Sequence, residues 1–272
     1  MSWDPLLFAG AAQHYARGRL PYSSGMAEAV RAELDPPPDA RLLDVGCGPG
    51  TVAIQLAGLF GEVVGVDPDE DMVREARRLV ERAGLGNVFL VNAPAEDLPL
   101  GLGAFDLVTF ASSFHWMRRE QVSATVRGML TPAGQVLHVD TDREPVPLPP
   151  GSPPPPPHDR IRELVTSYLG EGKRAGSARD RTAVSGEDTV WRGAGFDGPR
   201  VVRVESRQVL NRSVDDIVAS VLSMSFSAPH LFGDRLPTFV EDLRALLTRE
   251  GRENGFAERV PDALLKFWKV PD

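Results

Sequence analysis

The sequence predicts an α/β protein built on a doubly wound, mostly parallel sheet. Three observations predict it. Short apolar runs alternate with helical stripes from residue 41 to residue 139. The first run, Leu42-Leu43-Asp44-Val45, feeds directly into a glycine cluster, Gly46-Cys47-Gly48-Pro49-Gly50. The second run, Val63-Val64-Gly65-Val66, ends in an acid, Asp67. Regular alternation of strand and helix calls for parallel strands with helices on both faces, and right-handed crossovers fix the local winding.

In chain order, residues 5–34 read as helical, because Leu6, Leu7 and Phe8 lead into 11–15 and Met26, Val30 and Leu34 recur at spacing four. Pro36-Pro37-Pro38 ends any helix, since proline lacks the N–H and clashes with the preceding turn. After the first strand, Val52, Leu56, Leu59 and Phe60 repeat at helical spacing, and Met72, Ala76, Leu79, Val80 and Ala83 do so after the second. Strands follow at 88–91 and 105–110. Val122, Val126, Met129 and Leu130 mark a helix before a fifth strand at 135–139. Nine of the 14 residues in 144–157 are proline, which leaves polyproline II or a disordered loop. A surface insertion is the simpler reading; a ligand for a proline-binding domain is the other. Beyond it come a helix near 158–169, a polar Gly/Arg/Ser stretch to about 188 that reads as mobile, a strand at 201–204, helices at 213–224 and 234–249, and a last strand at 263–268 able to pair antiparallel.

Composition bounds the function. A chain of 272 residues fits one large α/β domain. Hydrophobic residues at 42% and charged residues at 25% fit a packed core rather than wholesale disorder. Lys+Arg is 30 against 38 Asp+Glu, a net charge of −8, which argues against a nucleic-acid partner without excluding a local basic patch. The single cysteine, Cys47, rules out an intramolecular disulfide and a multi-cysteine metal site, and no two histidines share metal-ligand spacing on one element, so no metal is expected. The N-terminus lacks a basic region followed by an apolar run, and no apolar stretch reaches the roughly 18–20 residues that span a bilayer. The expectation is a cytoplasmic protein, monomer or homodimer, with no membrane partner.

The glycine turn carries the chemistry. Glycines there allow positive φ and let a ligand approach a backbone without Cβ atoms, while the free N–H groups of a helix start favour negative charge. Asp67, 21 residues after Gly46, can accept both hydroxyls of a ribose. A dinucleotide fingerprint places its third small residue three after the second glycine. That position is Thr51, and the third glycine falls at Gly50 instead. G-x-G-x-G preceded by Asp44 suits a ligand with a positive amino group better than a pyrophosphate, and the lysine of a phosphate-cradling loop is absent.

Residues 42–50 resemble motif I of the class I S-adenosylmethionine-dependent methyltransferases, and Asp67 resembles their ribose-binding acid. Asn92-Ala93-Pro94-Ala95-Glu96-Asp97-Leu98-Pro99 is similar to the family's adenine-contacting segment, and 105–116 is similar to the fourth strand and its loop. Within the family, Tyr15, Arg19 and Tyr22 near the N-terminus and the His115-Trp116 pair resemble the small-molecule branch that includes trans-aconitate methyltransferase-like proteins. The proline-rich insert departs from that pattern. The resemblance implies a Rossmann-like, doubly wound, mostly parallel seven-stranded sheet with helices on both faces and an antiparallel C-terminal strand. It implies a helical cap over 1–38, a cofactor core over 39–140, a Pro-rich insert and helical segment over 141–195, and strands with substrate-cap helices over 196–272. It implies that S-adenosylmethionine binds Asp44, Gly46, Cys47, Gly48 and Gly50 at its amino-acid end. Asp67 would hold its ribose, Pro68 and Met72 would lie along its adenine, Ala95 and Glu96 would border its base, Ser112 would bind the cofactor, and Tyr15 and Arg19 would close the site from above, Arg19 available for a carboxylate of cofactor or substrate. A small-molecule acceptor would meet Tyr22, His115, Trp116 and His230, with His115 as base or orienter, for O-methylation of a carboxylate or hydroxyl.

Plainer readings stand beside these. Cys47 fits a small filler with no paired base. Met72 fits core packing as well as an adenine contact, and Glu96 fits a helix cap. A packed histidine explains His115 as well as a base does, and a helix–loop junction explains His230. His14 is a weaker candidate on the first helix; His138 reads as packed within the fifth strand and His158 as exposed. Arg19, Arg118 and Arg119 could pair with an acidic substrate. An NAD-dependent oxidoreductase and a non-catalytic S-adenosylmethionine-binding regulator remain the alternatives.

Overall fold

A computed structural model of the protein describes residues 6–142, 144, 146–170, 186–251 and 255–271. Seven strands form the central sheet: β1 (Arg41–Val45), β2 (Glu62–Asp67), β3 (Val88–Asn92), β4 (Phe105–Ala111), β5 (Leu130–Thr141), β6 (Asp197–Val204) and β9 (Ala263–Lys269). A separate antiparallel pair joins β7 (Val209–Arg212) to β8 (Phe256–Arg259). The sheet order is β3-β2-β1-β4-β5-β9-β6. Strands β1 to β5 are parallel, and β9 runs antiparallel between β5 and β6. The winding reverses between β1 and β4, so a crevice opens outside their carboxyl ends, where open α/β sheets bind ligands.

Alternation along the strands divides the core into two faces. Leu42, Val63 and Leu107 face α2 (Met26–Leu34), α3 (Thr51–Leu56) and Val80 of α4 (Glu70–Arg82). Leu43, Val64 and Val108 face α5 (Arg119–Arg127) and α7 (Glu187–Gly193), whose Trp191 is wholly buried. A third apolar cluster belongs to α6 (His158–Leu169), α8 (Val214–Leu222) and α9 (Leu236–Glu250), around Phe239, Leu243 and Leu247. The N-terminal α1 (Ala12–Gly18) packs on α8. Gly18 makes that contact possible, because a Cβ there would stand 2.4 Å from the Ala219 carbonyl. Buried Arg212 ties the pieces together: its Nη2 donates to the carbonyls of Gly18 (2.8 Å) and Asp216 (3.1 Å), and its Nη1 lies 3.1 Å from Glu258.

The architecture agrees with the sequence expectation, with local corrections. The helical reading of 5–34 gives way to two helices, α1 and α2, separated by residues 19–25. Pro21 explains the break, since its ring disfavours a helical Leu20 before it. The stripe after β1 is a six-residue helix followed by a tight turn at Ala57–Leu59. Leu130, assigned to a helix, begins β5, which is longer than expected. Strands β7 and β8 were not anticipated. The expected mobile stretch lies outside the described residues over 171–185, and its end, Glu187 and Asp188, starts α7. The proline-rich loop is held against β8, where Ala257 N donates to Pro154 O at 3.0 Å.

Candidate functional site

The glycine turn leaves β1 and doubles back onto β2. The amides of Gly46 and Cys47 both donate to Val66 O, at 2.8 and 3.1 Å. Gly46 has φ +68°, and a Cβ there would meet the Ser113 Cβ at 2.5 Å. Ser113 in turn donates to Val45 O at 2.7 Å, so the loop after β4 locks the turn from behind. Gly48 has φ +54° and the opposite surroundings, since a Cβ there would find nothing within 4 Å. The turn is thus clamped on its protein side and bare on the other.

Two carboxylates brace it. Asp44 is buried, accepting from the Thr109 hydroxyl at 2.7 Å and from Ala53 N at 3.2 Å. Asp67, at the end of β2, accepts from Gly48 N at 2.8 Å and Asp69 N at 2.9 Å. Burial pushes both carboxyls up to about 6, against the hydrogen bonds that favour their charged forms. Because both values lie above the ordinary 3.8, the contribution of these groups to stability is complete below that pH and is lost as pH rises through about 6. A ligand that donates to either carboxylate offsets the burial penalty. Burial, reinforced by Asp67 and Asp44, also raises the Cys47 thiol well above its ordinary value, so this sulfur stays protonated and non-nucleophilic.

The cap closes over the turn. Tyr15 lies on α1, and the Arg19 guanidinium sits over its ring, 5.0 Å from the centroid. Arg19 Nη2 donates to Ser223 O at 3.0 Å, while its Nε is buried with no hydrogen-bond partner. The Tyr22 hydroxyl bonds to Ser112. Burial raises its pKa, Tyr15 and Asp44 add to the rise, and Ser112 and Arg19 oppose it, which puts all five side chains in one neighbourhood. Ser112 itself has φ +52°, an uncommon backbone state that marks the sharp exit from β4. His115 and Trp116 form the next turn, ring centroids 4.6 Å apart, and Phe8 meets Trp116 edge-on at 6.3 Å. An aromatic wall therefore stands beside the polar cluster.

The other sequence-selected residues are placed as follows. Pro68 is half-buried, and Met72 is buried against Ala11, Ala12 and Ala228. Gly50 caps α3 with φ +78°. Ala95 packs into the core. Glu96 accepts from Arg118 N at 2.7 Å, and so caps α5. His230 is exposed, with Nδ1 3.2 Å from Ala9 O. His14 sits half-buried on α1, its pKa lowered by desolvation, and His158 is exposed. His138 is packed among Phe110, Phe114 and Trp191, 3.4 Å from Glu187. Thr109 and Ser113, which hold Asp44 and the turn, escaped the sequence reading; their signal was position, two polar residues flanking the end of β4. Among the described residues no group of three His, Cys, Asp or Glu could hold a metal ion, and no helix is long and apolar enough to cross a membrane.

Comparison with known proteins adds three findings. Residues 42–134 match the family model described as a methyltransferase domain. Over 107 residues the chain is 36% identical to nocamycin O-methyltransferase of Saccharothrix syringae, covering 38% of each chain. Over 102 residues it is 35% identical to the ubiquinone/menaquinone biosynthesis C-methyltransferase UbiE of Azotobacter vinelandii, covering 36% of this chain and 40% of that one. The matches thus span about two fifths of the length of these curated relatives. The fold as a whole is similar to a solved Geobacter sulfurreducens methyltransferase in complex with S-adenosyl-L-homocysteine, with TM-score 0.57, 16% identity and 100% of each chain covered.

Proposed function

We propose that this chain, a member of the class I S-adenosylmethionine-dependent methyltransferases, transfers a methyl group to a small-molecule acceptor by direct in-line displacement. The observation that carries the reading is the bare side of Gly48 directly bonded to Asp67. A backbone without a Cβ and a carboxylate with spare lone pairs suit a ribose lying across β1 and β2. The orphaned Nε of Arg19 supports the same ligand, because a carboxylate there would satisfy a buried donor. When bound, S-adenosylmethionine supplies a methyl carbon already activated by a positive sulfonium. Asp67 would hold the ribose hydroxyls, Arg19 the carboxylate, and the Tyr15–Tyr22–Ser112 cluster would exclude water. The protein's main task is alignment, and orientation of this kind accounts for as much as about 7–11 kcal/mol in well-placed reactions. The sulfur of the bound cofactor would serve as leaving group to the acceptor's lone pair, and the residues of this chain would hold the two partners in line.

We place the acceptor beside His115 and Trp116 and take it to be an oxygen nucleophile, a carboxylate or a hydroxyl. A carboxylate needs no proton removed; a hydroxyl does, and His115 is the group positioned to take it. For a hydroxyl acceptor, His115→Ala is expected to lower kcat by about 100-fold or more with cofactor affinity unchanged. For a carboxylate, turnover stays near wild type. A methyl-release assay on a panel of small acids and phenols distinguishes the two, and failure of every form of the cofactor to bind would sink the methyltransferase reading.

Binding is also expected to be proton-linked. Ribose hydroxyls favour the charged form of Asp67, whose pKa is about 6 without ligand. Affinity should therefore rise from pH 5 to a plateau near pH 7, by up to about tenfold per unit per group. Calorimetry in buffers of different ionisation enthalpy should detect proton release at pH 5.5 and little at pH 7.5. A pH-independent affinity would contradict the role given to Asp67.

A further inference from the structure

The molecule divides into a sheet body and a cap. The cap comprises α1, α6, α8, α9 and the β7–β8 pair. Its apolar cluster around Phe239, Leu243 and Leu247 takes no residue from the seven-stranded sheet. Polar ties hold its parts to one another. Arg17 Nε on α1 donates to Asp216 Oδ1 on α8 at 2.7 Å, and Arg160 Nη1 on α6 donates to Glu250 Oε1 on α9 at 3.1 Å. Buried Arg212 joins β7 to Gly18 of α1 and, through Glu258, to β8. Arg19 rides with the same body, since its Nη2 is bonded to Ser223 O just past α8. The groups that cover the glycine turn, Tyr15 and Arg19, therefore belong to the cap and not to the sheet.

Two different kinds of contact join the cap to the sheet body. On the β5–β9–β6 side the described chain crosses between the bodies at Asp142, at 205–208 and at 260–262, and these crossings are tied together. Arg203, near the end of β6, pairs with Asp142 and with Asp262, each at 2.9 Å. Ser206 N donates to Asp262 Oδ1 at 2.7 Å, and Asp142 N donates to Asp262 O at 2.9 Å. The crossing after α1 meets the same knot, because Ser23 Oγ donates to Glu205 O at 3.4 Å. Over β2 and β4 the contact is small and apolar. Ala11, Ala12 and Ala228 of the cap cover Met72 of α4, and Phe8 packs on this patch and meets Trp116 edge-on. Strand β1 lies between β2 and β4 in the sheet, so the glycine turn sits beneath this apolar contact. Hydrogen-bonded crossings at element ends can absorb small torsional changes, whereas a few apolar contacts part without breaking a hydrogen bond. A tied knot on one side of the site and a small apolar patch on the other are a hinge and a latch.

We propose that the cap pivots as one body about the Asp142–Arg203–Asp262 knot, and that parting of Phe8, Ala11, Ala12 and Ala228 from Trp116 and Met72 opens the crevice to ligands. The motion carries Tyr15 and Arg19 away from the glycine turn together with α8 and α9. Distances between paired spin labels on the full chain test it. Labels go on Glu81→Cys of α4, Thr248→Cys of α9 and Ala16→Cys of α1, all exposed positions. Cys47 is buried and its thiol stays protonated, so it takes no label. Phe8→Ala removes the half-buried side chain that makes both latch contacts and leaves the sheet and the cap cluster intact. In that variant the Glu81–Thr248 pair is expected to show a second, longer population at least about tenfold larger than with Phe8 in place. The Ala16–Thr248 distance, within the cap, is expected to stay single and unchanged. Trp116→Ala takes away the other half of the aromatic contact and should give the same split. No ligand is needed, so the outcome is separate from the methyltransferase reading. One fixed Glu81–Thr248 distance in all three forms would overturn the pivot. A changed Ala16–Thr248 distance would overturn the single body, because α1 would then leave the crevice without α9.

Discussion

Asp67→Asn is expected to weaken S-adenosylhomocysteine binding by about 100-fold while the chain stays folded. Two charge-assisted hydrogen bonds to the ribose, each worth about 1.5 kcal/mol, together give about 3 kcal/mol, which is roughly two decades in affinity. The fold survives for two reasons. The asparagine oxygen still accepts from the amide of Gly48 or Asp69, and the substitution removes the cost of a buried charge that raises this carboxyl to about 6. Titration calorimetry gives the affinity and a melting curve confirms the fold. Unchanged affinity in a folded variant would show that the ligand does not touch this acid.

The second large effect separates two glycines in one turn. Gly46→Ala forces a Cβ to 2.5 Å from the Ser113 Cβ and 2.9 Å from the Met117 methyl, at φ +68°. Ser113 is buried and bonded to Val45 O, so it cannot yield. A left-handed backbone costs about 1–2 kcal/mol and overpacking about 1–3 kcal/mol. The sum is a large part of a typical stability of about 5–15 kcal/mol. The melting temperature should fall by roughly 5–15 °C. Gly48→Ala carries the backbone cost alone, since its Cβ meets no protein atom within 4 Å. Its melting temperature should drop by only a few degrees, yet cofactor affinity should fall at least about tenfold because the new methyl occupies ligand space. Equal losses of stability in the two variants would show that the turn has no bare side.

These contrasts also show what was legible in the sequence. Strands β1, β2 and β4 were readable because each is a short apolar run buried on both faces, edge strand β3 because its run is apolar although Phe89 is exposed, and the glycine turn because its spacing is local. Asp67 was readable for the same reason, as the residue closing an apolar run. What bound the site together was not local. Arg212 reaches the Gly18 carbonyl across 194 positions, and Thr109 reaches Asp44 across 65. No periodicity encodes such pairs. The β7–β8 pair was missed because Leu210-Asn211-Arg212 and Ala257-Glu258-Arg259 mix polar and apolar residues in runs too short to show a period. Of the two readings given for Glu96, base contact and helix cap, the structure shows the cap on Arg118 N, whose identity no lone loop acid could announce. His230, read as part of a substrate lid or as a helix–loop junction, has its Nδ1 near Ala9 O, a partner 221 positions away that no local pattern announces.

On the proposed reading, the N-terminal segment closes the cofactor site. Arg19 follows α1 directly, and α1 is seated by Gly18 on α8 and by Arg212 on β7. The guanidinium is held by the Ser223 carbonyl and the Tyr15 ring, and no carboxylate among the described residues pairs with it, which leaves its buried Nε available to a ligand. The polar braces of the turn, Asp44 and Asp67, come from the sheet; the closing groups, Tyr15, Arg19 and Tyr22, come from the N-terminal segment that covers it.

Calorimetric titration of the full chain with S-adenosylhomocysteine and, separately, with NAD tests the central claim most directly. The glycine spacing, the bare side of Gly48 and the open donor of Arg19 predict tight binding of S-adenosylhomocysteine, lost in Asp67→Asn, and no measurable binding of NAD. Binding of NAD with no binding of S-adenosylhomocysteine would contradict the account.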